Sequence, residues 1–97
     1  VFFFFVNVYQ YDDLNNAISL GYNCRSSLQS SIFTNTIDLI LEFFQKINAS
    51  AVFHNDHTAF REDWMPFAGL KDSGYGTGVI KYTMDDMKVE KMLVLKK

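Results

Sequence analysis

Segments with the apolar pattern of a strand alternate with segments that have the apolar pattern of a helix over residues 2–54. This alternation restricts the chain to a small number of folds. Residues 2–11 are rich in Phe, Val and Tyr, which is typical of a strand covered on both faces. The pattern predicts a helix over 14–22, a strand over 28–34, a second helix over 37–47 and a third strand over 51–54. This order favours parallel strands with right-handed crossovers, so the predicted fold class is α/β.

The second helix has the clearest pattern, and Asn35 or Thr36 can cap it. Its apolar residues recur at helical spacing and predict the buried face, which comprises Ile37, Ile40, Leu41, Phe44 and Ile47. Its polar residues are predicted to face solvent, and they are Asp38, Glu42, Gln45 and Lys46. The first helix is predicted to begin after Asp12 or Asp13 and to stop near Gly21.

The second half of the chain begins with a long segment, 55–78, that we predict to be loop. Within it, residues 65–76 hold the only proline and three of the five glycines, a composition typical of a fixed, irregular turn. A short helix over 79–89 and a final strand over 92–95 follow. The predicted order is therefore β-α-β-α-β, a long loop, a short helix and a last strand.

The composition excludes several classes of protein. The 97 residues suffice for one small domain, and 48% hydrophobic residues argue against disorder. A net charge of −2 gives no general reason to bind nucleic acid or an anionic membrane. The apolar run at 2–6 is too short to span a bilayer. The single cysteine, Cys24, fits a reducing compartment, so we expect a cytoplasmic protein.

The chain opens on Val1 and a run of five apolar residues. Such a run is poorly covered at a free terminus. We therefore expect further chain before Val1, with 2–6 in a buried strand.

Cys24 is one candidate for a nucleophile. A reactive cysteine needs a neighbouring base or a lowered pKa, and Arg25 is the only local support in the sequence. The simpler interpretation, which we favour, is a thiol without a catalytic role at the end of a helix.

The segment His54-Asn55-Asp56-His57 suggests a metal site because two histidines and an aspartate lie close together. Two histidines three positions apart are far from a full ligand set. We therefore favour a polar turn at the end of a strand, while an acid–base role for either histidine stays open.

The segment from Phe60 to Phe67 gathers three aromatic residues, a methionine and Arg61 within a predicted loop. Large apolar residues in a loop are either covered by other chain or line a pocket. Arg61 among them can hold a carboxylate or phosphate of a substrate. The alternative is that Arg61 pairs with Glu62 or another surface acid.

The most specific motif is Pro-Phe-x-Gly-x-Lys-x-Ser-Gly, at Pro66 to Gly74. It resembles the loop near the C-terminus of the aldehyde dehydrogenase superfamily, and weaker similarities extend over nearly the whole chain. The segment 55–61, together with 64–67, is similar to the branch that contains non-phosphorylating glyceraldehyde-3-phosphate and lactaldehyde dehydrogenases. Ala68 departs from the glycine that is usual in the family, and Phe3-Phe4 stand where Gly-Pro is expected.

The resemblance implies an NAD(P)-dependent oxidation of an aldehyde to a carboxylic acid, in which a cysteine attacks the aldehyde and a glutamate activates water. Both catalytic side chains, and the domain that binds most of the NAD or NADP, are expected upstream of this chain. The resemblance therefore implies no catalytic residue within the 97 residues, and the isolated chain is expected to be inactive.

The resemblance assigns binding roles to four residues of this chain. Phe67 resembles a wall of the aldehyde pocket, and Phe60 and Arg61 fall in the substrate-selecting loop. Phe2 resembles the aromatic residue that packs beside the nicotinamide ribose of the cofactor. No metal ligand is implied.

The resemblance also implies that residues 1–97 are part of a catalytic domain whose last segment, 91–97, is an oligomerisation strand and tail. The expected partners are a small aldehyde and further subunits of a dimer or tetramer. Two alternatives stay open: an inactive truncated product that acts as an interaction module, and an unrelated small α/β binding domain.

Overall fold

A computed structural model describes residues 4–97 and contains three helices and six short strands in that part of the chain. The predicted mixture of helices and strands is therefore present. The elements are α1 (Leu14–Tyr22), β1 (Ser26–Ser27), β2 (Gln29–Ile32), α2 (Ile37–Lys46), β3 (Ala51–His54), β4 (Phe67–Ala68), β5 (Leu70–Lys71), β6 (Thr77–Gly78) and α3 (Ile80–Asp86).

The centre of the fold is the pair β2 and β3, which are parallel and joined through α2. Their register places Gln29 opposite Ala51 and Ile32 opposite His54. Backbone hydrogen bonds extend this ladder at both ends, because the Ser50 N–H donates to the Leu28 carbonyl at 2.8 Å and the Asn55 N–H donates to Ile32 at 2.9 Å. The predicted β-α-β unit with parallel strands is confirmed.

Helix α1 begins where the sequence predicts. Asp13 has extended backbone angles, and its carboxylate accepts a hydrogen bond from the Asn16 N–H at 3.2 Å. This bond satisfies one of the N–H groups that a helix leaves unpaired in its first turn. Ile18 then lies on the inner face with 5% of its surface exposed.

Helix α2 has the predicted bounds to within one residue, but only part of its predicted face is covered: Ile40 and Ile47 are half-buried. Phe43 is its buried residue, at 8% exposure. Ile37, Leu41 and Phe44, which we predicted to be buried, are exposed by 63%, 52% and 63%. The helix has apolar residues on more than one side, and the side that carries Phe43, Ile40 and Ile47 is the less exposed one among residues 4–97.

The predicted loop over 55–78 contains two short antiparallel pairings. Strand β4 pairs with β6, with Phe67 opposite Gly78, and β5 pairs with β1, with Lys71 opposite Ser26. Helix α3 follows, and it is shorter than the predicted 79–89. The residue before α3, Val79, has a φ of 97°, which is rare for a β-branched residue.

The predicted first and last strands are not strands in this structure. Residues 4–11 and 92–95 pair with no other segment in the part of the chain that the structure describes. A strand is defined by its hydrogen-bonded partner, and apolar composition alone does not supply one. Residues 2 and 3 of the first predicted strand lie outside the described residues.

Little of the chain is buried. Within residues 4–97, the buried apolar residues are Ile18 and Phe43. The accessible surface is 8952 Å², whereas a compact monomer of 11.2 kDa exposes about 5,700 Å². No helix among residues 4–97 is long and apolar enough to cross a bilayer.

Candidate substrate-binding loop

The turn at 69–74 depends on a close approach of two backbone segments. A Cβ atom at Gly69 would lie 2.5 Å from the Ser73 carbonyl oxygen and 2.9 Å from the Gly74 nitrogen. Real Cβ atoms do not approach backbone atoms so closely, so only glycine fits without a shift of the chain. The Ser73 N–H closes the turn by donating to the Leu70 carbonyl at 3.0 Å.

The turn is tied to the segment that follows α1. The Asp72 N–H donates to the Arg25 carbonyl at 3.2 Å, and the Arg25 guanidinium pairs with the Asp72 carboxylate at 3.0 Å. The Ser27 N–H donates to the Ser73 hydroxyl at 3.0 Å. These bonds join residues that are about 46–47 positions apart in sequence.

Arg61 and Phe67, two of the predicted substrate-binding residues, are in contact. The guanidinium carbon of Arg61 lies 4.8 Å from the centre of the Phe67 ring, within the range of a cation–π interaction. Arg61 takes part in none of the ion pairs found among residues 4–97. The alternative that Glu62 or another acid neutralises Arg61 is therefore not supported.

Phe60 and Arg61 line a cavity of about 210 Å³ beside the amino ends of β2 and β3. The other lining residues come from both of these strand ends and from the loop, and they are Gln29, Ser50, Ala51, Val52, Phe53, Met65 and Pro66. Phe67 is not part of this lining and reaches it through Arg61. The structure thus brings the three predicted residues into one region.

The segment 54–57 forms a turn. Nε2 of His54 lies 2.7 Å from the Thr34 carbonyl, and the Asn55 side chain accepts from the Thr34 N–H at 2.9 Å. Asn55 has a φ of 52°, which Asn tolerates better than most residues. Within residues 4–97, no three His, Cys, Asp or Glu side chains gather as metal ligands. The polar turn is the interpretation that these contacts support.

Cys24 is exposed, and its thiol donates to the Leu20 carbonyl at 3.5 Å. A backbone carbonyl is not a general base that could activate a thiol. The thiol also borders a cavity of about 500 Å³ lined by Tyr9, Tyr11 and Leu20 among others. These surroundings support the simpler interpretation of Cys24.

The sequence profile that describes the aldehyde dehydrogenase family matches residues 1–93 of the chain. The chain belongs to the aldehyde dehydrogenase family. The family prediction made from the motif at 66–74 is confirmed.

Named relatives of this aldehyde dehydrogenase chain agree with the predicted branch. Lactaldehyde dehydrogenase of Methanococcus vannielii is 37% identical over 83 residues, which are 86% of this chain and 18% of the relative. Glyceraldehyde-3-phosphate dehydrogenase of Methanocaldococcus jannaschii, in a crystal structure complexed with NADP, matches with a TM-score of 0.73 and 37% identity, over 78% of this chain and 17% of the other.

A third match is aldehyde dehydrogenase 21 of Physcomitrella patens, in a crystal structure with its reaction product succinate. Its TM-score is 0.73 and its identity is 39%, over 79% of this chain and 16% of the other. The aldehyde dehydrogenase chain described here thus spans less than a fifth of the length of each of these relatives.

Two other sites predicted for the aldehyde dehydrogenase chain stay predictions. Phe2, the predicted cofactor contact, lies outside the described residues. Met92 to Leu95, the predicted oligomerisation strand, is exposed and pairs with no segment between residues 4 and 97. Sequence analysis did not predict the contact between Arg61 and Phe67 or the bonds of Lys71 to α1, because only the fold brings these residues together.

Proposed function

We propose that residues 1–97 are the C-terminal segment of an aldehyde dehydrogenase that oxidises an aldehyde to a carboxylic acid with NAD or NADP. In this role the segment contributes the rim of the substrate pocket and a contact between subunits. The observation that carries the proposal is the anchored turn at 69–74, which follows Phe67 and the Arg61 that stacks on it.

The chain's own residues bind substrate in this proposal. The cavity of about 210 Å³ that Phe60 and Arg61 line forms part of the aldehyde pocket in this proposal. Phe60 supplies an apolar wall, and Arg61, which makes no ion pair among residues 4–97, supplies donors for an anionic group. The glyceraldehyde-3-phosphate and succinate named for two relatives both carry such a group.

The catalytic groups come from outside these 97 residues. NAD(P), when bound, accepts the hydride, and the proposed nucleophilic cysteine and general-base glutamate belong to other parts of the enzyme. Within the described part of the chain the Cys24 thiol donates to a backbone carbonyl and not to a base, which supports leaving it out of the chemistry. The purified 97-residue chain is therefore expected to reduce no NAD or NADP with any aldehyde.

The final segment is proposed to join a sheet with another subunit. The sequence of residues 91–97 is typical of a strand, and four of its apolar residues are exposed: Met92, Leu93, Val94 and Leu95. An unpaired apolar segment of this kind presents free N–H and C=O groups that a neighbouring strand can bind.

A composite enzyme tests this proposal. These 97 residues replace the matching segment of the Methanococcus vannielii relative, and NADP reduction is followed with small aldehydes. We expect measurable turnover from the composite and none from the relative truncated before that segment. A composite that assembles and binds NADP but oxidises no aldehyde would contradict the proposed role.

The alternative is a catalytically inactive chain that docks on intact dehydrogenase subunits. The large exposed apolar surface supports this alternative, because such surfaces are typical of interfaces between proteins. Sedimentation of the 97-residue chain mixed with the intact relative separates the two roles. Stable co-sedimentation together with an inactive composite enzyme would favour the interaction module.

A further inference from the structure

Lys71, which is distant from α1 in the sequence, binds the C-terminal end of that helix. Its ammonium donates to the Tyr22 carbonyl and, at 2.9 Å, to the Cys24 carbonyl. The same ammonium lies 4.9 Å from the centre of the Tyr22 ring. Three partners at the end of one helix thus surround a single side chain that is 47 to 49 positions away.

A cation at the C-terminal end of α1 is electrostatically favourable. The last carbonyls of a helix have no partner within the helix, and the helix dipole concentrates negative partial charge there. Basic side chains in the last turn usually compensate, but the last turn of α1 contains none. Lys71 supplies the missing charge from the turn at 69–74.

The backbone at Lys71 also indicates that these contacts hold the turn in shape. Lys71 has a φ of 54°, a left-handed conformation that lysine adopts rarely and at a cost in free energy. The Arg25–Asp72 pair nearby is exposed by 91% and 57% at its two side chains, and exposed pairs of this kind contribute little. Lys71 is exposed as well, but its ammonium contacts two carbonyls and a ring at the same helix end.

From these contacts we infer that Lys71 is a positioning residue. Its ammonium holds the 69–74 turn against the C-terminal end of α1. The position of this turn then determines the position of β4, which precedes it and carries Phe67. The link from Phe67 to a substrate rests on the proposed function, whereas the bonds of Lys71 do not. The tie is formed entirely from residues of this chain, so it can be tested without dehydrogenase activity.

Hydrogen exchange of backbone amides in the 97-residue chain tests the inference. The reporters are the Asp72 and Ser73 N–H groups, which donate to the Arg25 and Leu70 carbonyls. We expect Lys71→Met, which keeps the length of the side chain without its charge, to speed both exchange rates roughly tenfold. Lys81→Met is the control, because the Lys81 ammonium lies 5.8 Å from the Tyr82 ring and makes no ion pair among residues 4–97.

Chemical rescue separates the ammonium from a general effect of mutation. In a Cys24→Ser background, Lys71→Cys is treated with bromoethylamine, which alkylates the thiolate with loss of bromide and rebuilds a side chain of lysine's length and charge. Slow exchange at Asp72 and Ser73 should return after this treatment.

Three results would overturn the inference: unchanged exchange in Lys71→Met, an equal change in Lys81→Met, or failure of the rebuilt ammonium to restore protection. A parent chain without protection at Asp72 and Ser73 would overturn it as well. A failure of the proposed function shows separately, as a composite enzyme without turnover.

Discussion

At the scale of single residues, two positions in the loop have opposite requirements. Gly69 tolerates no side chain, because the Ser73 carbonyl occupies the space a Cβ would need. Arg61 needs its long side chain, because only its length places a guanidinium over the Phe67 ring at 4.8 Å. Gly69 thus determines the shape of the loop, and Arg61 provides its positive charge.

Gly69→Ala is expected to destabilise the chain by about 1–3 kcal/mol, because the backbone at Ser73 must move to admit the new atom. Urea unfolding followed by Trp64 fluorescence measures the loss. Gly21→Ala is the matched control: its Cβ would meet only the end of the Ile47 side chain at 3.3 Å, and alanine favours the helix. Equal midpoints for Gly69→Ala and the parent chain would contradict the close approach.

Arg61→Met in the composite enzyme is expected to raise KM for an anionic aldehyde by about tenfold, since a hydrogen bond to a charged group contributes about 1.5–3 kcal/mol and Arg61 is partly screened by solvent. The kcat should change little, and a neutral aldehyde of similar size should show no change in either constant. Lys81→Met is the control variant. A similar loss with both aldehydes would mean that Arg61 supports the fold and does not select substrate.

At the scale of elements, α2 is the helix whose surroundings differ most from those its sequence predicts. Periodicity located its bounds, because apolar residues at helical spacing identify a helix whichever side is later covered. The covered side depends on the path of the rest of the chain, and Phe43 lies on that side. The neighbouring Phe44 remains 63% exposed.

Phe43→Ala and Phe44→Ala form a matched pair for this element. Loss of the buried ring is expected to cost about 3 kcal/mol, as is usual when a core Phe is truncated. Loss of the exposed ring should cost less than about 1 kcal/mol. Urea midpoints of the two variants measure the difference, and a larger cost at Phe44 would restore the face predicted from the sequence.

At the scale of the whole molecule, the accessible surface area is larger than that of a compact protein of the same mass. The radius of gyration is 18.5 Å, whereas about 12.5 Å is expected for a compact domain of 97 residues. The accessible surface exceeds the compact value by about 3,300 Å², an area in the range of permanent interfaces between proteins. Exposed apolar residues at 4–11 and 92–95 account for part of this excess.

The isolated chain is therefore expected to self-associate, with an average mass that rises with concentration in sedimentation equilibrium. Leu93→Asp with Leu95→Asp should weaken association by placing charges on the exposed final segment. Lys81→Glu on α3 changes the net charge by the same amount and gives a control for net charge alone. A monodisperse monomer at all concentrations would contradict this expectation.

Local information in the sequence sufficed for the bounds of α1 and α2, a cap at Asp12 or Asp13, the parallel β-α-β centre and the family motif at 66–74. These features depend on residues a few positions apart, and periodicity, caps and glycines express them directly. The family of this chain was likewise readable from one short motif.

Only the tertiary structure decided the rest: the buried face of α2, the pairing of β1 with β5, the stacking of Arg61 on Phe67 and the bonds of Lys71 to the end of α1. It also decided that 4–11 and 92–95, apolar as they are, pair with no segment among residues 4–97. The physical reason is the same throughout. A side chain's character is local, but its partner is chosen by the path of the whole chain, and several of these partners lie more than 40 residues away.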